Sequence, residues 1–285
     1  MFVTKKLTVI GISVFLLGAC GGHKEAETGE EGAVVEGSKD SAAVAVADTT
    51  AFKFDFAIAN VPSPANTIQN YVKWGVSYDN SILNSPKKAD SYNTEYLKSI
   101  NLGVYNIDMA YAMASNSGAD VLQYMKSILM ISDGLGLKGA VDKMVGKRAE
   151  SNMNNQDSLF AILDEIMVRS DFYLRSNERL YTAANILAGC WVESLYLNCK
   201  IGDRISDSGN KDLAKKRLWD QRFHLGNLLN LLGDYKDKKD CAELIAKLKP
   251  IHEEITAVKQ PTDLTEEKFK SISSKIYALR ENYTK

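Results

Sequence analysis

"YLKSINLGVYNIDMAYA" occupies residues 96–112, and its reading decides the fold. Leu102, Tyr105, Met109 and Ala112 recur at spacings of three and four, the period of an α-helix. The residues between them are also mostly apolar, so this helix is greasy on most of its faces and belongs at the centre of a helical protein. One carboxylate, Asp108, sits in it between Ile107 and Met109. A second stretch of the same character, "AGCWVESLYL" at 188–197, places Glu193 among Cys190, Trp191, Val192 and Leu195.

The helical period extends outward from these two segments. Val121, Leu122, Met125, Ile128 and Leu129 form one stripe. Leu218, Leu225, Leu228, Leu229 and Leu232 form another, and Cys241, Leu244, Ile245, Leu248 and Ile255 a third. Residues 87–249 contain no proline, which favours long helices. Punctuation by cap residues predicts helices at 64–74, 92–115, 119–133, 138–150, 156–175, 178–200, 211–233, 238–257 and 265–282. Ser63 before Pro64, Asn155, Asn177 and Asn210 are the expected N-caps; Thr262 and Thr265 flank the last start. Gly134, Gly202 and Gly233 stand where C-caps belong. Only residues 52–58, "FKFDFAI", alternate apolar and polar as a strand does. With no partner strand in view, they are expected to lie extended on the helices. The fold class is therefore all-α: an antiparallel multi-helix bundle or an irregular helical solenoid, with a short extended N-terminal segment. No fixed repeat decides between the two.

The N-terminus reads as an export signal. Lys5 and Lys6 precede 13 uncharged residues, Leu7 to Ala19. As a helix those span about 20 Å, too short for a hydrocarbon core of about 30 Å. Leu17-Gly18-Ala19-Cys20 follows the pattern of a bacterial lipobox, with Cys20 as the acylated first residue of the mature chain. Several acyl chains on one cysteine anchor stably where a single chain is marginal. Residues 21–50 carry seven acidic side chains, two lysines and no aromatic residue. Such a stretch buries too little apolar area to fold, so it is expected to be a tether. The organisation is a signal peptide at 1–19, an acidic tether at 20–50 and a helical domain at 51–285. The expected location is the Gram-negative cell envelope, on the outer membrane, facing the periplasm or the cell surface.

Composition excludes some partners. The net charge is −1, which gives no basic field for nucleic acid. Cys190 and Cys199 are about 13 Å apart if they share one helix, too far to bridge, so any disulfide involves Cys241. The favoured reading is three buried thiols packed as small apolar groups.

Motifs of chemistry are thin. "GLGLKG" at 134–139 fits a dinucleotide fingerprint but follows a helical stripe where the fingerprint needs a strand; it reads as a helix stop and turn. The loop "GDRISDSGNKD" at 202–212 lacks calcium-loop residues at Ile205, Ser208 and Ala214. His252 lies on an apolar stripe and is expected to be a hydrogen-bonded core histidine; His224, four residues after Asp220, is expected on a solvated face. Neither has the Glu-x-x-His pattern of a di-iron bundle. No metal and no cofactor are expected. Asp108 and Glu193 are the candidate polar pocket. As buried carboxylates they need a Tyr, an Arg or a helix N-terminus as partner, unless they line a cavity for ligand or catalysis. Trp74, just before Gly75 at a helix end, is the candidate anchor for a protein or glycan partner.

Taken together, "VPSPAN", "SILN", "YLKSINLGVYNIDMAYA" and "GCWVESLYL", over roughly residues 58–200, resemble a family of uncharacterised all-helical lipoproteins of Bacteroidetes-type bacteria. The resemblance implies an envelope lipoprotein with a helical body. It lends no activity and no functional residue. The function expected from sequence is thus a lipid-anchored binding or scaffolding module without catalysis; its rival is a small-molecule hydrolase built on Asp108 and Glu193. Lipidation has a direct test. On cell fractionation, Cys20→Ser is expected to lose firm membrane association, and retention equal to wild type would refute the anchor.

Overall fold

Thr94 begins the central helix. Its side chain accepts the Leu97 N–H at 3.1 Å, and Glu95 follows in the first turn, where the helix dipole favours a carboxylate. In the computed structural model, which describes residues 49–58, 68, 71, 73–138, 141 and 143–285, the first described helix, α1, covers 49–58. The helix that Thr94 caps is α2, Glu95–Ala114. Then come α3, Gly118–Gly134; α4, Lys143–Ser151; α5, Gln156–Ser176; and α6, Leu180–Gly202. The chain closes with α7, Ser208–Leu232; α8, Lys239–Thr256; and α9, Glu266–Thr284. No strand occurs among the described residues, and no described helix is long and apolar enough to cross a membrane.

Every residue from Ser99 to Ala114 is buried, as an all-round apolar helix requires. Its main neighbour is α6, which is also buried on most faces. The two run parallel: Thr182, near the start of α6, donates to Glu95, at the start of α2, at 2.7 Å. They cross at Gly103 and Gly189. A Cβ built on Gly103 would lie 2.2 Å from the Ile186 carbonyl oxygen, and one on Gly189 would lie 2.0 Å from that of Ile100. Only glycine permits this approach. Around the pair, α3 and α5 pack on α2, α7 packs on α6, and α9 touches α2, α6 and α8. Contacts between elements so distant in sequence are those of a bundle around a central pair; a solenoid would join neighbours alone.

Several sequence expectations need correction. Residues 52–58 are helical, with Phe54 and Ala57 packed in the core and Phe52 stacked on Phe56 outside at 6.3 Å. A ten-residue helix places its buried positions three apart, and the alternating aromatics imitate a strand. Asn177 is the C-cap of α5 and caps no start; α6 begins after Arg179 without a side-chain cap. Asp207 caps α7, accepting from the Asn210 N–H, so Asn210 is inside the helix. Gly134 is the last residue of α3, and Gly136, at φ 72°, is the left-handed stop. There Leu137 N–H reaches Ser132 O at 2.8 Å and Gly136 N–H reaches Asp133 O at 3.0 Å, the paired bonds of a Schellman turn. Asn155 and Thr265 cap as expected. The start at Ser63 and Pro64 lies outside the described residues, as do Cys20 and the tether up to residue 48.

Gly189→Ala is expected to cost about 3 kcal/mol or more, because the clash is with backbone and cannot be relieved by a rotamer. That is a fall in Tm of roughly 6–12 °C for a domain of this size. Gly233, at φ −57° with open space about its Cβ position, is the control. Thermal melts of Gly189→Ala and Gly233→Ala should separate clearly; equal melts would show that the crossing is not tight.

Candidate functional site

The polar face of α2 meets the loop before it. Asn101, Tyr105 and Asp108 follow one another at helical spacing, and Asn84 lies against them. The Asn84 N–H donates to Asp108 Oδ2 at 3.1 Å. Its side-chain amide donates to Tyr92 Oη at 2.9 Å and to Asn101 Oδ1 at 3.1 Å. Its carbonyl accepts from Tyr124 Oη at 3.2 Å, and Tyr105 Oη donates to the Ser85 carbonyl at 2.8 Å. Asn84 is thus the hub of a buried network that the sequence did not single out.

Five residues beyond Gly103 and four beyond Gly189, the parallel crossing brings Asp108 and Glu193 together. Both are fully buried. Arg280 of α9 grips Glu193 with two bonds, Nε to Oε2 at 2.9 Å and Nη2 to Oε1 at 3.0 Å. Such a fork is the strong form of the pair. Asp108 is within electrostatic reach of Glu193, and its Oδ1 has no hydrogen-bond partner. Burial first, and then the Glu193 charge, push the Asp108 carboxyl well above the usual carboxylate range, with Arg280 opposing. The shift favours the protonated form of Asp108. Burial alone would lower the Arg280 guanidinium; Glu193 and Asp108 more than offset it and raise its pKa.

A separate feature lies on another side of the central pair. An apolar cleft of about 490 Å³ opens between α1, α2, α5 and α6. Leu102 and Asn106 of α2, Met167, Val168 and Ser170 of α5, and Ile186, Leu187 and Cys190 of α6 are among its walls, and Phe54 and Ile58 of α1 close one side. Asn106 and Ser170 are 3 % and 6 % exposed, and Asn106 Oδ1 and Ser170 Oγ have no hydrogen-bond partner. Asp164 stands exposed at the rim, yet the surrounding apolar walls desolvate its carboxyl and raise its pKa. Burial pushes the Cys190 thiol up to about 12, and its sulfur donates to the Gly103 carbonyl at 3.5 Å. Five apolar side chains of α1 and α5, Phe52, Phe56, Ile58, Val168 and Phe172, are exposed. α1 is held to the body by Lys53 and Thr50 on Asp234 and by Asp55 on Arg175.

The sequence candidates therefore part company. Asp108 and Glu193 meet each other, but neither lines the cleft. Trp74 is half-buried on the core, 5.3 Å from the Tyr71 ring and with the Arg217 guanidinium 4.7 Å from its centroid. His252 is half-buried and bonded to the Arg222 carbonyl at 3.0 Å, as expected of a core histidine. His224 is also half-buried, and burial lowers its pKa, so it is not on a solvated face. Cys190, Cys199 and Cys241 are buried free thiols. No group of side chains suited to a metal ion occurs among the described residues. Comparison with protein-family models, with curated proteins and with solved structures yields no match.

The raised pKa of Asp108 has a measurable consequence for its proton. The folded chain holds it more tightly than the unfolded chain, so stability is complete below about pH 4, the ordinary carboxylate range, and falls as pH rises toward the folded pKa of Asp108. Asp108→Asn keeps an acceptor for the Asn84 N–H while removing the titration. Its stability relative to wild type is expected to grow with pH from about 4 upward. Urea denaturation across that range measures it; a difference that does not change with pH would show that Asp108 holds no extra proton.

Proposed function

We propose that this chain is a lipid-anchored protein of the cell envelope whose helical domain binds an apolar ligand. The observation that carries the reading is the cleft between α1, α2, α5 and α6. Its volume, about 490 Å³, falls in the range of small-molecule sites, about 300–1,000 Å³. Its walls are apolar, with a few polar groups set among them, which is the usual composition of such sites. The exposed apolar residues of α1 and α5 support entry from an apolar phase: Ile58 and Val168 belong to both the lining and the exposed set. α1 is also the first described element after the lipobox, so an anchor at Cys20 would keep this part of the body close to a bilayer surface.

Binding suits the cleft better than catalysis does. The two carboxylates of the rival reading lie outside it, Glu193 gripped by Arg280 and Asp108 bound by the Asn84 N–H. The thiol that does line it is held protonated by burial. The resemblance to helical envelope lipoproteins agrees with this placement.

The test uses the full chain bearing Cys20→Ser, so that attached acyl chains do not compete. N-phenyl-1-naphthylamine, an uncharged apolar dye, is expected to bind saturably with a blue-shifted emission. Leu187→Trp, which places a ring in the cleft from a half-buried wall position, should weaken binding at least tenfold with an unchanged circular dichroism spectrum. Unsaturable dye uptake, or equal affinity in the variant, would remove the reading.

A further inference from the structure

Resting on the reading of the cleft as a binding site, we infer that its ligand is an apolar chain ending in a hydrogen-bond donor, a hydroxyl or an ammonium, and that ionised fatty acids are rejected. The first observation is the pair of unpartnered oxygens. Asn106 Oδ1 and Ser170 Oγ are buried without a hydrogen bond in residues that line the cleft. A buried oxygen without a donor is costly, and a ligand that supplies one recovers the cost. Other buried oxygens lack partners too, among them those of Tyr96, Asp108, Tyr111, Ser132, Asn185 and Ser273, but those residues do not line the cleft. Asn106 comes from α2 and Ser170 from α5, so two walls of the cleft each carry an unpartnered oxygen just beneath their surface.

The second observation is charge. None of the described lining residues is basic. Arg175, whose guanidinium lies 4.8 Å from the ring centroid of the lining Phe54, is paired with Asp171 and Asp55. Asp171 and Asp164 both line the cleft, and Asp164 makes no ion pair among the described residues. A carboxylate entering would face Asp164 without a counter-charge, since Arg175 is already engaged with Asp171. A hydroxyl would satisfy Asn106 or Ser170, and an ammonium could also answer Asp164. Selectivity of this kind comes as much from rejection as from attraction.

Competition against the bound dye decides the matter. Decan-1-ol, decylamine and decanoate share one chain length and differ in the head. At neutral pH, on the full chain with Cys20→Ser, the alcohol and the amine are expected to displace the dye at concentrations at least tenfold below decanoate. Asn106→Leu should shrink that preference severalfold while holding or raising Tm, since it removes an unpartnered carbonyl; Ser170→Ala is the milder variant should the leucine disturb the fold. Asp164→Asn should lower the amine's advantage and spare the alcohol's. Decanoate competing as well as decan-1-ol, or a preference untouched by both Asn106→Leu and Ser170→Ala, would overturn the donor inference while the cleft remained a binding site. No displacement by any of the three, despite saturable dye binding, would also overturn it. A failure of the dye itself would instead strike the reading on which it rests.

Discussion

The backbone contact between Gly103 and Gly189 is the constraint on which the rest of the molecule depends. Helices that meet through side chains stand about 8–10 Å apart. Here a single added carbon would collide with carbonyl oxygens on the partner helix. The contact fixes both the distance and the register of α2 against α6, and the register has consequences at each end. At the start, Glu95 meets Thr182 and Arg179. Beyond the crossing, Asp108 meets Glu193. Beside it, Leu102 and Asn106 of one helix and Ile186, Leu187 and Cys190 of the other become walls of the cleft. A slip of one residue would rotate each of these side chains by about 100° and dissolve all three arrangements.

The carboxylate pair shows how such a register is kept. Two carboxylates and one guanidinium, all ionised in a dry interior, would leave a net negative charge with no solvent to share it. The raised pKa of Asp108 moves the group toward neutrality. Buried ion pairs of this sort are often no more stabilising than well-packed apolar residues, so stability alone is a weak reason for them. Geometry is the stronger one. Arg280 belongs to the last helix, and its fork on Glu193 joins α9 to the central pair, while Asn101 reaches the Tyr283 carbonyl at 2.7 Å on that same helix. Few of the other ways of docking α9 would satisfy these groups together.

Much of the fold was legible because helices announce themselves locally. The stripes through α2, α3, α7 and α8 are read from spacing, and Asn155 and Thr265 mark starts by their chemistry. The errors have local causes as well. Over 52–58 the aromatics alternate while the buried set, Phe54 and Ala57, follows the helical period, and so short a segment fits both. Asn177 and Asn210 are good capping residues in the wrong positions because Arg179 and Asp207 hold the boundaries. The site was legible only in part. That Asp108 and Glu193 are buried and require partners follows from the apolar residues around them. Which partners they find does not, since Arg280 lies 87 residues from Glu193 and Asn84 lies 24 from Asp108. The cleft left no mark in the sequence: it is bounded by four helices, and no one of them carries a motif for it.

The two polar regions of the interior differ in a way that bears on function. Around Asn84 the fold brings partners from α2, α3 and the preceding loop to one amide and leaves its groups satisfied. An asparagine three residues after Gly103 on the same helix, Asn106, is buried with its carbonyl unpartnered. An interior able to saturate the first could have replaced the second with leucine and gained on the order of 1–3 kcal/mol. That is a substantial fraction of the stability of an ordinary domain, about 5–15 kcal/mol. A fold that forgoes such a gain at a cavity wall, under an apolar rim, is the basis for the donor-bearing ligand proposed for the cleft. The same helix thus serves two ends: one side joins the bundle through the Asn84 network, and the other forms a wall of the cleft.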